Sequence, residues 1–221
     1  MYAAKLYIPV DESGSKPDIF HIQNIFTALH ASSADVDGKF GILFPHMNSK
    51  SKTFGHEMVI YYESLEHLDL HFKSSEVKSA ISDIPLLKIN VSQFIIENKD
   101  NLKYGILSKT NAGNFSTPSY IQSTFDWMDT KIKEDGFSFD DKDTYKGFLF
   151  NARKEGLSIE KISKIAKSKE LYLVTSSRST KQEHVSIFVS NKSSVKQVGT
   201  FSDLNSYGLS SSSKQMSFPI V

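Results

Sequence analysis

The sequence predicts an α+β protein: a first half in the order β-α-β-β-α-β, the ferredoxin-like arrangement, followed by a divergent α/β half. Three observations carry that expectation. Short runs rich in β-branched and aromatic residues recur between segments whose apolar residues fall three and four apart. No repeat of solenoid or propeller length is visible. The 221 residues are 39% hydrophobic, enough for a sizeable buried core.

The elements follow in order. "AAKLYIPV" (3–10) alternates and reads as a strand. "PDIFHIQNIFTALH" reads as a helix, with Pro17 at its first position and Ile22, Ile25, Phe26 and Leu29 on one face. "KFGILFP" is a strand stopped by Pro45, and "HEMVIYYES" is another after a polar loop. "SLEHLDLHFKS" has Ser64 as N-cap and Leu65, Leu68 and Phe72 on one face, so it is the second helix. "LLKINVSQFII" (86–96) closes the half as a strand. A boundary near Glu97 to Asn101 divides the chain into 1–98 and 99–221.

Beyond it, a strand is expected at Tyr104 to Ser108, and a helix over "TPSYIQSTFDWMDTKIKEDG". An acidic loop "DGFSFDDKD" follows. Two more helices lie between Thr144 and Lys169, broken at Gly156 and restarted by the capping pattern "SIEK" at Ser158. Three strands, "ELYLVTSS", "HVSIFVS" and "VKQVGTFS", then a Ser-rich turn and "QMSFPIV" complete the chain.

Composition narrows the function classes. With no cysteine there is no disulfide, thiolate nucleophile or cysteine-ligated zinc, which fits a reducing compartment. No basic-then-apolar signal follows Met1, and no apolar run approaches the ~18 residues that span a bilayer, so a cytoplasmic protein without membrane partners is expected. The net charge of +1 conceals an asymmetry. Tyr145 to Val221 holds 12 Lys+Arg against 5 Asp+Glu (+7), leaving 14 against 20 (−6) for the rest. A basic C-terminal third suggests a polyanion-binding face, and a merely solvated face is the alternative.

Among candidate chemistries, metal hydrolysis is poorly supported. "HEMVI" (56–60) starts like a zincin helix but has Ile60 where the second histidine belongs, and it reads as a strand. His67 and His71 have helical ligand spacing without a catalytic glutamate between them. No metal ligands and no cofactor are therefore expected. No phosphate-cradling glycine loop is present, and no strand resembles the aromatic platform of an RNA-recognition motif. "VTSSRSTKQEH" (174–184) is denser: hydroxyl side chains with Arg178, Lys181 and Gln182 leave a strand in a tight turn, and such groups hold phosphate oxygens. An ordinary polar hairpin loop is the alternative. "NSYGLSSSS" puts Tyr207 before a glycine, and Lys146, Arg153, Lys154, Lys161, Lys164, Lys167 and Lys169 crowd the upstream helices. His30 ends the first helix one step beyond its apolar face, where a packing role and a proton-transfer role both remain open.

Taken in order, "IFTALH", "GKFGILFP", "FGHEMVIYYESLEHLDLHF", "GLSIEKISKIA", "LYLVTSSRSTKQ" and "YGLS…FPIV" resemble the Csy-type CRISPR repeat-processing endoribonucleases of type I-F systems. The resemblance covers roughly Asp18 to Lys73 and Arg153 to Val221, and not the stretch from about Lys88 to Phe150. It implies a ferredoxin-like domain beside a divergent RNA-binding domain. The implied activity is metal-independent cleavage of CRISPR precursor RNA at the base of the repeat hairpin. The enzyme then stays on the crRNA as a subunit of the interference complex. By motif, His30 matches the catalytic histidine, Ser177 the catalytic serine, and Tyr207 the tyrosine that orients the histidine. Ser179 and Thr180 match an RNA-contacting loop, and the groove helix ends at Arg153 and Lys154.

The residue types suit that chemistry. RNA carries its own nucleophile, so a histidine that takes the 2′-OH proton and a serine that aligns the 2′-OH suffice to start cleavage. The family's groove helix is rich in arginine, whereas this chain has only Arg153 and Arg178, and "YKGFLFN" precedes the first of them. Lysine does not reproduce bidentate arginine contacts, so Lys-phosphate contacts or Lys103, Lys109 and Asn111 in the unmatched stretch are expected to contribute. A non-catalytic crRNA-hairpin-binding subunit and an unrelated interaction protein of the same fold are the competing readings.

Overall fold

A computed structural model describes the chain except residues 11–18, 34–35, 37–38, 49–50, 52, 94–102, 110–115, 137–144, 169–170, 178–181, 195–197, 212–213 and 221. For 145, 167–168, 174–177, 182–186, 188, 191 and 193–194 only the backbone is described. The fold is mixed α+β, with two antiparallel four-stranded sheets and six α-helices among the described residues.

The first sheet contains β1 (Tyr2–Tyr7), β2 (Phe40–Leu43), β3 (Glu57–Tyr62) and β4 (Lys88–Gln93), in the spatial order β2-β3-β1-β4. β1 is flanked on both sides by antiparallel partners, with Tyr2 opposite Tyr62 on one side and Gln93 on the other. β2 joins through Phe40 opposite Tyr62. Every residue of β3 is buried, so both faces of this strand are covered. The pleat explains how. Tyr62 meets His71 of α2 (Leu65–Lys73) edge-on at 5.4 Å, while its neighbour Tyr61 stacks on Phe218 at 4.5 Å on the other face. Tyr61 also donates its hydroxyl to the Pro219 carbonyl, and burial with the nearby Glu57 carboxylate raises its pKa, so the donor proton is retained.

α1 (Ile19–Ser32) buries Ile22, Ile25, Phe26 and Leu29, the face its spacing predicts. The helix expected over 64–74 is α2, and a further helix, α3 (Ser75–Ser82), fills the stretch expected to be a turn. Ser74 ends α2 by donating its N–H to the Leu70 and His71 carbonyls, then caps α3 (Ser75–Ser82) by accepting from Val77 N. A single serine serves both ends, so the same residue that stops α2 also starts α3. His71 is a core residue, with its Nδ1 3.4 Å from Ser32 Oγ and its ring edge-on to Phe40 and Tyr62.

The second sheet contains β5 (Tyr104–Lys109), β6 (Leu171–Ser177), β7 (Gln182–Ser194) and β8 (Phe218–Pro219), in the order β6-β7-β5-β8. The strand expected over "VKQVGTFS" is corrected over residues 198–202; residues 195–197 lie outside the described residues. Val198 exchanges hydrogen bonds with Ser217, the chain turns at Gly199 (φ 73°), and Phe201–Asp203 form a 3₁₀ turn. That turn is closed by the Asp203 carboxylate, which accepts from the Thr200 N–H at 2.9 Å and hydroxyl at 3.2 Å. These bonds hold Asp203 below the usual carboxylate range.

The compact units divide differently from 1–98 and 99–221. One comprises Met1–Thr110 with Leu171–Val221, the other Asn111–Glu170. The physical reason is that β5 pairs with β7 and β8, while Leu107, Leu171, Leu173 and Ile187 share one core with Ile60 and Tyr61 of the first sheet. The second unit is helical: α4 (Pro118–Asp135), α5 (Tyr145–Lys154) and α6 (Ile159–Ser168) bury Ile121, Phe125, Met128, Leu149, Ala152 and Ile162 together. Its ends follow capping rules, with Thr117 accepting from Tyr120 N, Pro118 in the first turn, and Gly136 left-handed at φ 61°.

Candidate active site

His30 sits in the last turn of α1, beside a turn from the far end of the chain. The imidazole Nδ1 lies 3.1 Å from the Ser206 carbonyl oxygen, and the ring stacks on Tyr207 with centroids 4.0 Å apart and planes 28° apart. A carbonyl only accepts, so the hydrogen on Nδ1 points at Ser206. In the neutral ring this leaves Nε2 as the basic nitrogen, the tautomer a general base needs. Tyr207 is itself backed by Phe26 of α1, with centroids 6.1 Å apart. Two residues of α1, Phe26 and His30, thus both meet the ring of Tyr207 from the C-terminal segment.

That segment is built by local turn chemistry. Asn205 and Gly208 stand at the first and fourth positions of a turn closed by the Gly208 N–H to the Asn205 carbonyl at 3.0 Å. The Asn205 side-chain oxygen accepts from the N–H groups of Tyr207 at 2.9 Å and Leu209 at 3.2 Å. Gly208 has φ 69°, and a Cβ there would lie 2.6 Å from the Phe40 ring. Its carbonyl accepts from Ile42 N at 3.1 Å, which ties the turn to the edge strand β2. Lys39 donates to the carbonyls of Ser202 and Leu204, each at 2.8 Å, and pins the approach to the turn. Ser33 donates to the His30 carbonyl at 2.7 Å and reaches the Ser206 carbonyl at 3.4 Å.

The structure therefore brings together His30 and Tyr207, two of the three residues expected to act in catalysis. Ser177 is the last residue of β6 and pairs through its backbone with Gln182, the first residue of β7; the side chains of both lie outside the description. α1 packs against β6, so histidine and serine belong to adjoining elements of one unit. Arg178, Ser179, Thr180 and Lys181 lie outside the described residues, as does Asn111. Lys109 is exposed at the end of β5, where its N–H donates to the Ser210 carbonyl.

In the helical unit, Arg153 is engaged internally. Its guanidinium makes two bonds to the Asp129 carboxylate, at 2.8 and 2.9 Å, and lies over the Phe125 ring at 4.9 Å. Arg153 holds Asp129 below the usual carboxylate range through that hydrogen-bonded pair. Lys146 places its ammonium 3.9 Å from the Trp127 ring centroid. Lys154, Lys161 and Lys164 are exposed, as a lysine-based phosphate-contacting face requires.

Asn205, Ser206, Gly208 and Lys39 escaped the reading of the sequence. Asn205 and Gly208 were detectable as the Asn-x-x-Gly turn signature in "NSYGL". Ser206 acts through its backbone carbonyl, which leaves no mark on residue type, and the Lys39 ammonium acts on carbonyls some 163–165 positions away, a pairing no local pattern announces. No family model matches the chain, and no curated protein matches it.

Proposed function

We propose that the chain is a metal-independent endoribonuclease that cleaves CRISPR precursor RNA at the base of its repeat hairpin and keeps the mature crRNA as a subunit of a type I-F interference complex. The observation that carries this reading is the placement of His30: Nδ1 lies 3.1 Å from the Ser206 carbonyl oxygen and the ring stacks on Tyr207. A histidine held this way by segments 176 positions apart is fixed by tertiary contacts, with Nε2 as the nitrogen not engaged by Ser206. The strand order β2-β3-β1-β4 supports a ferredoxin-like first half, and the absence of cysteine supports a reducing cytoplasm.

In this mechanism His30 Nε2 takes the proton of the 2′-OH. The 2′-oxygen attacks the adjacent phosphorus, the bond from phosphorus to the 5′-oxygen breaks, and the leaving oxygen is protonated. The products are a 2′,3′-cyclic phosphate and a 5′-OH. Ser177 aligns the 2′-OH, a positioning contribution, while Tyr207 sets the plane of the imidazole. Lysines on α5 and α6 and the segment from Arg178 to Lys181 supply phosphate contacts.

The test is cleavage of a repeat-hairpin RNA in EDTA by the full chain, beside His30→Ala and an RNA with one 2′-deoxy residue at the cut site. Cleavage by the native chain that disappears in both controls is the expected result. Cleavage of the 2′-deoxy RNA overturns the mechanism. Tight hairpin binding without cleavage replaces the reading with that of a binding subunit.

A further inference from the structure

The motif "HEMVI" fails as a zincin helix because β3 is a strand, yet its first two residues meet a third group across the β2–β3 hairpin. His46 follows the end of β2, His56 immediately precedes β3, and Glu57 is its first residue. One ligand atom from each of His46, His56 and Glu57 lies within 4.8 Å of the others. The loop between them is held by Phe44 on Phe54 (4.7 Å) and by an antiparallel bridge between Asn48 and Thr53. Gly55, at φ 78°, permits the close approach: a Cβ there would lie 2.5 Å from the Cβ of His46. The two imidazoles consequently stand face to face, with centroids 4.9 Å apart and planes 11° apart.

Glu57 makes this more than a pair of surface histidines. Its carboxylate is buried, with a side-chain exposure of 6%, and its two oxygens face different groups. Oε1 is 3.2 Å from Lys5 Nζ. Oε2 faces His46 Nε2 at 3.9 Å, too long for a hydrogen bond and somewhat longer than the separation of two ligands on one ion, so a small inward rotation of the exposed imidazole brings the two to ligand distance.

We propose that His46, His56 and Glu57 form a site for one divalent first-row transition ion of the zinc class. Two imidazoles and one carboxylate select such an ion over magnesium or calcium, which prefer oxygen ligands throughout. Bonds of about 2.0–2.2 Å in a tetrahedron space ligand atoms about 3.4 Å apart, so the site closes as the imidazoles tilt and draw inward. Both histidines are exposed and able to rotate, while the carboxylate stays fixed by burial. The ion bridges β2 and β3 at the hairpin end of the first sheet. His30 lies at the other end, where Gly208 meets the start of β2 at Phe40 and Ile42. The ion's role is to brace the hairpin, so RNA cleavage in EDTA and metal uptake are separate readouts.

The experiment titrates the untagged, EDTA-treated and dialysed full chain with Zn²⁺ by calorimetry, and with Co²⁺ by its visible d–d absorption. Uptake of one ion is expected, with a tetrahedral Co²⁺ spectrum and a higher melting temperature in Zn²⁺. His46→Ala and His56→Ala should each lower affinity by on the order of 100-fold. Because both side chains are exposed, the metal-free variants should melt like the metal-free native chain. Failure of the native chain to take up either ion overturns the proposal, as does uptake that survives either substitution.

Discussion

The imidazole of His30 lies on the phenol ring of Tyr207, centroids 4.0 Å apart and planes 28° apart, a contact made ring face to ring face. Orientation by a ring face makes a different demand from orientation by a hydrogen bond. Tyr207→Phe should therefore retain cleavage close to the native rate. Tyr207→Ala should lower it by roughly 3- to 10-fold, the equivalent of an aromatic stacking contribution. Single-turnover cleavage of the repeat hairpin distinguishes the two. A loss in Phe as deep as in Ala assigns the work to the hydroxyl instead.

The Asn205 side chain organises the turn that carries the Ser206 carbonyl, by accepting two backbone N–H groups. Asn205→Ala leaves both donors without this acceptor and should cost about 1–3 kcal/mol in urea unfolding. Asn205→Asp keeps an acceptor oxygen in place and should recover most of that loss. In the alanine variant His30 loses its fixed partner, so cleavage should fall further than stability alone explains, measured well below the melting temperature. Equal stability of Ala and Asp would remove Asn205 from the account of the site.

Much of this architecture was written in local patterns. The apolar face of α1 is set by Ile22, Ile25, Phe26 and Leu29, and the caps of α4 are visible as Thr117, Pro118 and Gly136. What the sequence hid depends on long-range pairing. β5 reads as the start of a second domain, and only the core that Leu107, Leu171, Leu173 and Ile187 share with Ile60 and Tyr61 assigns β5 and its partner strands to the first unit. "VKQVGTFS" has strand composition, but Val198 bonds to Ser217 and Asp203 closes a turn over it, so tertiary context wins over propensity. At the candidate site, His30 and Tyr207 could be singled out by residue type because they meet through their side chains. Ser206 acts through its carbonyl, a group every residue has.

Arg153 has its fork occupied by Asp129, whereas Lys154, Lys161 and Lys164 are exposed. The phosphate contacts of the helical unit should accordingly come from the lysines. Removing all three as alanines should weaken hairpin RNA binding and reduce the slope of log affinity against log salt by about 2–3, near one per lost phosphate contact. Arg153→Ala should change that slope little. Filter-binding or fluorescence titrations across a salt series decide it, and a slope that falls most with Arg153→Ala would reverse the assignment.

The Asp129–Arg153 pair also gives the helical unit a defined response to acid. Arg153 favours the ionised carboxylate, so the folded-state pKa of Asp129 is depressed relative to the unfolded chain. A depressed carboxylate contributes stability that is fully present above the ordinary aspartate value of about 3.9 and is lost as pH falls through the lower folded value. Asp129→Asn should therefore melt below the native chain at neutral pH, and the gap should close progressively below about pH 4. The gap itself should be small and shrink in high salt, because both partners are exposed and screened. Arg153→Lys keeps the charge but not the two parallel bonds, so its melting should fall between the native chain and Asp129→Asn. Thermal melts over a pH series measure all three, and a gap that stays constant through the acid range would show that Asp129 acts through shape and not through its charge.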